Sequence, residues 1–503
     1  MLSEDIEVLK SKKICSDCIG EIFLRDLVEK DSREDQCCYC GGTGSAVSLE
    51  DVAGLVEIAF ERHFSRTASE PNSWQYMMLK DKETDYEWQR EGEPTVYVIM
   101  NAADIPEEAA CDIQEILAEK NYDFDEAAMG EEGKFSSEAH YEEIMPGDEE
   151  WQEGWRVFER TIKTEARFFS RTATDQLSNL FDTIGEMRTR HGQPLVIDAG
   201  PDSKYTHLYR SRVFQSDEGL KSAMIRPDKE LCAPPAQLAS AGRMNASGIS
   251  VFYGATSVYT ALAEARPPVG SQVAVARFEI IRPIKMLDLT ALAELHDTGS
   301  IFDPAYANRL GRMMFLRKLS SRIARPVMPN DQESEFLPTQ AIADFLATEG
   351  KVPLDGILYP SVQVDGTGLN VVLFHKAARC KELEFPEGAK LSANTYTTYE
   401  DGPKPDYSVT ETVPKVPPKK ESPDKEIYEA YYDPLDLPDI EYRALSDYDD
   451  REETLSVDLE SLRVHRVNAV RFDTSDFEVT RWTAEVIGTA RTSWSPRTGR
   501  KHR

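Results

Sequence analysis

Glu264 is the one acid in an apolar stretch, Ser250-Val-Phe-Tyr-Gly-Ala-Thr-Ser-Val-Tyr-Thr-Ala-Leu-Ala-Glu-Ala-Arg266. The run reads as a buried strand, a tight turn and a capped helix. A carboxylate on an apolar face is costly unless it has a partner or a task. Seven residues before this stretch, Arg243 sits in a glycine-flanked loop, Gly242-Arg-Met-Asn-Ala-Ser-Gly248. Upstream, Leu208-Tyr-Arg-Ser-Arg212 sets Arg210 and Arg212 two apart, so in an extended segment both guanidinium groups point to one side. Tyr253 ends the strand before Glu264, and Ser361 closes Asp355-Gly-Ile-Leu-Tyr-Pro-Ser361, a strand running into a polar loop. Arginine forks match phosphate oxygens. Two or three arginines with one carboxylate, one serine and one tyrosine suggest a phosphate-bearing ligand with chemistry at a sugar. On spacing alone, the competing reading is an Arg–Glu salt bridge with Ser361 as a turn residue.

A second constellation lies near the start. Cys15-Ser-Asp-Cys18 and Cys37-Cys-Tyr-Cys40 are two C-x-x-C pairs. Their spacing suits two knuckles around one tetrahedral zinc ion. Gly41-Gly42 lets the chain turn after the second pair. Cys38 leaves the register ambiguous, and Cys37 is preferred because x-x spacing suits a knuckle. Four sulfurs would fill the metal, so the expected zinc is structural. Cys111, Cys232 and Cys380 are isolated and read as small buried apolar residues.

The elements that must position these residues follow from composition and periodicity. The chain has 503 residues and a net charge of −31, with 40% hydrophobic residues. Two or three domains are expected. The negative surface argues against nucleic acid as a partner, although Arg491, Arg497, Arg500, Lys501 and Arg503 make the last stretch basic. No apolar run is long enough to span a membrane, and the start lacks the regions of a signal peptide, so a cytoplasmic location is expected.

Residues 1–44 are read as the zinc-binding segment. Residues 45–192 read as α-helical: 48–64 open on a capping-box-like Ser48 and Asp51, 105–120 repeat the pattern, and 154–190 place Phe158, Ile162, Ala166 and Phe169 on one side. Residues 193–385 mix strand-like runs at 195–198, 251–253, 272–279, 356–359 and 369–374 with helical stretches at 257–265, 304–322 and 339–349, an α+β pattern. Residues 386–503 are expected to be an irregular extension, with a Pro- and acid-rich linker over 393–453 and a short hairpin over 462–483.

The pattern Tyr-Arg, Gly-Arg-Met-Asn, Tyr-Gly-Ala, Ala-Leu-Ala-Glu and Asp-Gly-Ile-Leu-Tyr-Pro-Ser, over roughly 200–380, resembles the RES-domain family. That family comprises bacterial toxins that degrade NAD, with a fold related to ADP-ribosyltransferases. The N-terminal part resembles the helical HEPN-type domain found fused to RES domains. An Arg followed after four to six residues by a His, as in catalytic HEPN ribonucleases, is not found in 45–192; a regulatory role is expected there instead.

Carried over by position, the resemblance assigns Arg210 and Arg243 to the pyrophosphate of NAD and Tyr253 to nicotinamide or ribose. Glu264 falls to the ribosyl cation, and Ser361 to a ribose hydroxyl or the nicotinamide amide. Arg212 is a neighbour of undefined role. It implies cleavage of the nicotinamide–ribose bond by a glycohydrolase or phosphorylase, as a toxin or defence effector. The alternatives are an ADP-ribosyltransferase acting on a protein or nucleic acid, and a non-enzymatic interaction protein. An antitoxin or trigger protein and a homodimer are the partners the resemblance suggests. No G-x-G-x-x-G follows a strand, so NAD is expected as substrate and not as a recycled cofactor. The long stretch between Arg210 and Arg243 is expected to form a loop over the cleft.

Overall fold

The computed structural model describes residues 3–31, 33–81, 85–364, 368–414, 449–471, 473–487 and 491–496. The run from 415 to 448 of the expected linker and the basic terminus from Arg497 lie outside them.

The cysteine segment is built on a three-stranded sheet. Lys13–Cys15 and Arg33–Gln36 flank Thr43–Ser48, both antiparallel to it. Ser48 then caps helix Leu49–His63, accepting from the Asp51 amide at 3.2 Å. This helix packs with Thr95–Ala103 and Glu107–Lys120 around Val52, Val56, Ile99, Ile113 and Leu117. Ile14, Ile19 and Leu24 of the cysteine segment belong to the same apolar cluster, so the two segments share one core. The region expected to be helical also holds a small sheet of Phe64–Arg66, His140–Glu143 and Glu93–Pro94.

The expected helical face through 154–190 is interrupted. Helix Glu149–Arg160 runs into a wide turn, Thr161–Glu165, and a new helix starts at Arg171 because Ser170 accepts from the Ala173 amide at 3.1 Å. Phe169 falls in the gap between them and is 99% exposed. Trp155, Phe158, Ile162, Leu177 and Leu180 share one core with Phe315, Leu319, Ile342 and Leu346 of helices Tyr306–Ala324 and Leu337–Thr348. Packing is therefore continuous across residue 192.

A central mixed sheet carries the rest. Its strands are β1 (Val196–Ala199), β2 (His207–Phe214), β3 (Phe252–Ala255), β4 (Gln272–Ile280), β5 (Ile284–Asp288), β6 (Gly356–Pro360), β7 (Leu369–Leu373) and β8 (Leu455–Arg466). They lie in the order β8-β4-β2-β3-β7-β6-β5-β1, and only β5 and β6 run parallel. Both faces are covered, so the strands alternate between two cores. Ile357, Tyr359 and Val372 enter the core of the two long helices, while Leu358, Val371, Leu373, Leu208 and Phe252 enter the core beneath helix Asp217–Ile225.

The C-terminal extension is more regular than its composition predicts. Lys390–Tyr399 and Gly402–Thr412 form an antiparallel hairpin within the expected linker, turning at Gly402 with φ of 111°. The hairpin expected over 462–483 is absent from the described residues. Leu455–Arg466 is instead one strand closing the β4 edge of the sheet, and Trp482–Ile487 pairs with Arg491–Pro496. Leu455 and Val457 supply apolar cover toward the core beneath, and Leu462 and Val464 do so beyond an irregularity in the register between Asp458 and Arg463. No helix among the described residues is long and apolar enough to cross a membrane.

Candidate active site

Register aligns four cleft residues across the sheet. Tyr209 on β2 faces Ala255 on β3, which faces Asn370 on β7, which faces Tyr359 on β6. Over this row lies a cleft of about 330 Å³, also bordered by Arg210, Arg243, Tyr253, Glu264, Arg266 and Phe336.

Glu264 is the last residue of helix Val258–Glu264, whose start is capped by Ser257 accepting from the Thr260 amide at 3.1 Å. One oxygen, Oε1, accepts from Ser361 Oγ at 2.5 Å and from Asn370 Nδ2 at 2.7 Å. Among the described residues the carboxylate makes no ion pair, and Oε2 has no hydrogen-bond donor. Ser361 is buried behind the carboxylate. Its amide donates to Gly368 O at 2.8 Å and its Oγ accepts from the Gln363 amide at 3.2 Å. It does not line the cleft; it holds Glu264. Asn370 was missed at the sequence level, although a lone amide in the apolar run Leu369-Asn-Val-Val-Leu373 carries the same signal as a lone carboxylate.

Arg243 donates through Nη1 to Ile323 O at 2.5 Å and through Nη2 to Arg325 O at 3.0 Å, and its guanidinium lies 5.2 Å from the Phe336 ring. Those carbonyls end helix Tyr306–Ala324, where the helix dipole is negative. Burial pulls the guanidinium pKa below its usual value, opposed by the field of Tyr359, Tyr253 and Glu264. The loop that carries Arg243 hangs from Tyr253. The Tyr253 hydroxyl accepts from the Met244 amide at 2.9 Å and donates to Asn245 Oδ1 at 2.8 Å. A Cβ at Gly242 would sit 2.7 Å from that hydroxyl, which is why glycine precedes the arginine. Burial pushes the Tyr253 hydroxyl up to about 12. Burial also raises the Tyr359 hydroxyl.

Arg210 borders the cleft, but its guanidinium stacks 5.0 Å from Phe252, a ring of the opposite core. Alternation along β2 gives the Glu264 face to Tyr209 and Ser211, whose Oγ donates to Ala261 O at 2.5 Å. Arg210 Nη1 is buried without a partner, and burial lowers its pKa. Arg212 does not reach the cleft. It donates to Glu230 O at 2.7 Å and pairs with the Glu230 carboxylate at 3.2 Å. Beyond the end of β2 at Phe214, the stretch up to 242 carries short helices, and none of its residues lines the cleft. His375 accepts a structural place, its Nδ1 3.1 Å from Ser250 O.

The four metal-ligand candidates converge. Cys15, Cys18, Cys37 and Cys40 place their sulfurs within 4.8 Å of one another, with Cys15–Cys40 at 3.5 Å and Cys18–Cys37 at 3.8 Å. Zinc bound tetrahedrally by thiolates requires sulfurs about 3.8 Å apart, so the donor set fits that ion. The Tyr39 amide points at Cys37 Sγ and the Gly42 amide at Cys40 Sγ, each at 3.4 Å. Burial pushes the Cys37 thiol up, but the Cys40 and Tyr39 amides outweigh it and bring it to about 6. Cys38 is exposed and outside the cluster, its sulfur accepting from the Lys13 amide. Gly41, with φ of 74°, makes the turn.

A family model for the RES domain matches residues 209–393. These residues are a RES domain. The match spans β2 to β7 and contains Glu264, Arg243, Ser361 and Asn370. RES domains form a family of toxin-like, NAD-degrading enzymes, and the presence of one here suggests an NAD-processing enzyme. Nothing supports the HEPN likeness of the N-terminal part. No curated protein matches the chain.

Proposed function

We propose that the RES domain cleaves the nicotinamide–ribose bond of NAD, with water or phosphate as acceptor. Nicotinamide starts as a pyridinium and leaves as a neutral base, so departure needs no general acid. The barrier lies in the positive charge that develops on ribose. A fixed carboxylate beside that carbon stabilises it, and such preorganised electrostatic contacts are worth about 3–4 kcal/mol, or roughly 10²–10³ in rate. Glu264 suits the task because both of its hydrogen bonds end on Oε1, leaving Oε2 for the ribosyl carbon or an incoming water. That single observation carries the reading.

Arg243 and the exposed Arg266 stand at the cleft for the pyrophosphate, with Arg210 as a fixed cation behind the sheet. Tyr209, Tyr253 and Tyr359 offer ring faces to nicotinamide or ribose. Ser361 and Asn370 position Glu264. Four thiolates at Cys15, Cys18, Cys37 and Cys40 hold structural zinc, far in role from the chemistry.

The test is nicotinamide release from NAD by the full chain, beside Glu264→Gln, with and without phosphate. Free ADP-ribose marks hydrolysis, a 1″-phosphorylated product marks phosphorolysis, and label retained on macromolecule marks transfer. Equal release by wild type and Glu264→Gln, or none with any acceptor, refutes the proposal.

A further inference from the structure

A second cavity, of about 650 Å³, adjoins the first, and Arg243 lines both. Arg156, Arg322 and Arg325 line it too, in a chain whose net charge is −31. Four arginines at one hollow of so acidic a surface call for an anion. Arg156 comes from helix Glu149–Arg160, outside the residues matched to the RES domain.

The arginines are not all equally occupied. Arg322 donates to Gln152 Oε1 and its guanidinium stacks 5.1 Å from Phe315. Arg156 pairs with Glu153 at 2.7 Å, both side chains exposed. The Arg325 guanidinium has no partner among the described residues, while its carbonyl anchors Arg243. Three carboxylates, Glu159, Asp331 and Glu335, share the wall; Glu335 pairs with Lys163 at 2.8 Å, and carboxylates are the usual acceptors for ribose hydroxyls. The first cleft alone, about 330 Å³, lies at the small end of ligand sites, roughly 300–1,000 Å³. A dinucleotide outgrows it.

We propose that the second cavity seats the adenylate half of the dinucleotide, so that helix Glu149–Arg160 completes the substrate site of the RES domain. The proposal rests on the NAD reading of the first cleft. Arg243 stands where the two halves meet, at the pyrophosphate. Arg325 and Arg156 face the adenylate phosphate, and Glu159 or Asp331 the adenosine ribose.

The experiment measures ADP-ribose and AMP binding to the full chain by calorimetry, in wild type, Arg325→Glu and Arg156→Glu. Arg463→Glu, on exposed β8, controls for the change in net charge. Losing a charge-assisted contact weakens binding about tenfold or more. That loss is expected in Arg325→Glu and Arg156→Glu for both ligands, with Arg463→Glu unchanged and all melts alike. Wild type that binds neither ligand, or cavity variants that bind like wild type or like Arg463→Glu, overturn the subsite. Nicotinamide release is read in parallel. Release with unaffected binding removes the subsite and leaves the proposed reaction, whereas arginine-dependent binding without release does the reverse.

Discussion

Removing the Ser361 hydroxyl probes the central claim, that Glu264 works because its carboxylate is held by one oxygen. Ser361→Ala deletes a 2.5 Å bond to Oε1 and leaves the 2.7 Å bond from Asn370. Hydrogen bonds to charged groups contribute about 1.5–3 kcal/mol. At about 1.36 kcal/mol per factor of ten, full expression of that loss in the transition state lowers kcat roughly 10- to 150-fold. Ser361 does not line the cleft, so KM should stay near the wild-type value. Initial rates of nicotinamide release from NAD measure both. The decisive arm repeats Ser361→Ala in the Glu264→Gln background, where the bond is between neutral groups and the loss should shrink to a few-fold. An undiminished loss there, or a rise in KM at constant kcat, would show that Ser361 meets the substrate itself and would refute the positioning role.

Other outcomes follow from the same contacts. Tyr253→Phe leaves the Met244 amide and Asn245 Oδ1 without their hydroxyl partner, and should lower stability by about 1–3 kcal/mol in a denaturant titration. Metal analysis of the purified chain should find zinc, lost in Cys15→Ser and Cys37→Ser but retained in Cys38→Ser, which lies outside the sulfur cluster. Asp228 is buried, and although burial raises its pKa, Arg226 at 2.5 Å and the Leu383 amide at 2.9 Å hold it below the usual carboxylate value. Its stabilisation is present above the unfolded pKa of about 3.9 and disappears as pH falls through the lower folded value. Asp228→Asn should therefore cost about 1–3 kcal/mol at pH 7, Arg226 being partly exposed, and progressively less in denaturant titrations taken below pH 4.

Glu264 was legible because an acid in an apolar helix is conspicuous whatever surrounds it. Its helix, the strands around it and the two long helices fall within a few residues of their sequence-read positions. Its partners were not legible as partners: Ser361 and Asn370 approach it only through the β6–β7 connection. For Arg210 and Arg212 the period of two correctly implies a common side, but a sheet covered on both faces hides which side that is. Phe252 and Glu230 decide it, and neither neighbours them in sequence. The β8 edge strand alternates only at Leu455 and Val457 before its register shifts, and its partner β4 lies far upstream, where local pattern says nothing. At 166–170 the apolar period ran through a break that Ser170 enforces by capping the next helix.

The two charges of the cleft are fastened to different layers. Glu264 is tied to the sheet through Ser361 and Asn370, whereas Arg243 is tied to the end of helix Tyr306–Ala324 through Ile323 O and Arg325 O. The Arg243 loop also hangs from Tyr253 on β3, so the position of the guanidinium relative to Glu264 depends on how that helix packs on the sheet as well as on the loop. Its outer flank is covered by Trp155, whose ring lies 5.6 Å from Phe315, and by Phe158. Interiors this closely packed transmit displacement instead of absorbing it. Helix Glu149–Arg160 thus bears on Arg243 whether or not it also touches substrate. A fragment cut at 193–385 would lose that cover and also the β8 edge of the sheet, exposing Phe315 and Leu319 on one side and β4 on the other. Inactivity of such a fragment would reflect a damaged cleft as readily as a missing activator, so control of the RES domain by the N-terminal region has to be sought in the intact chain.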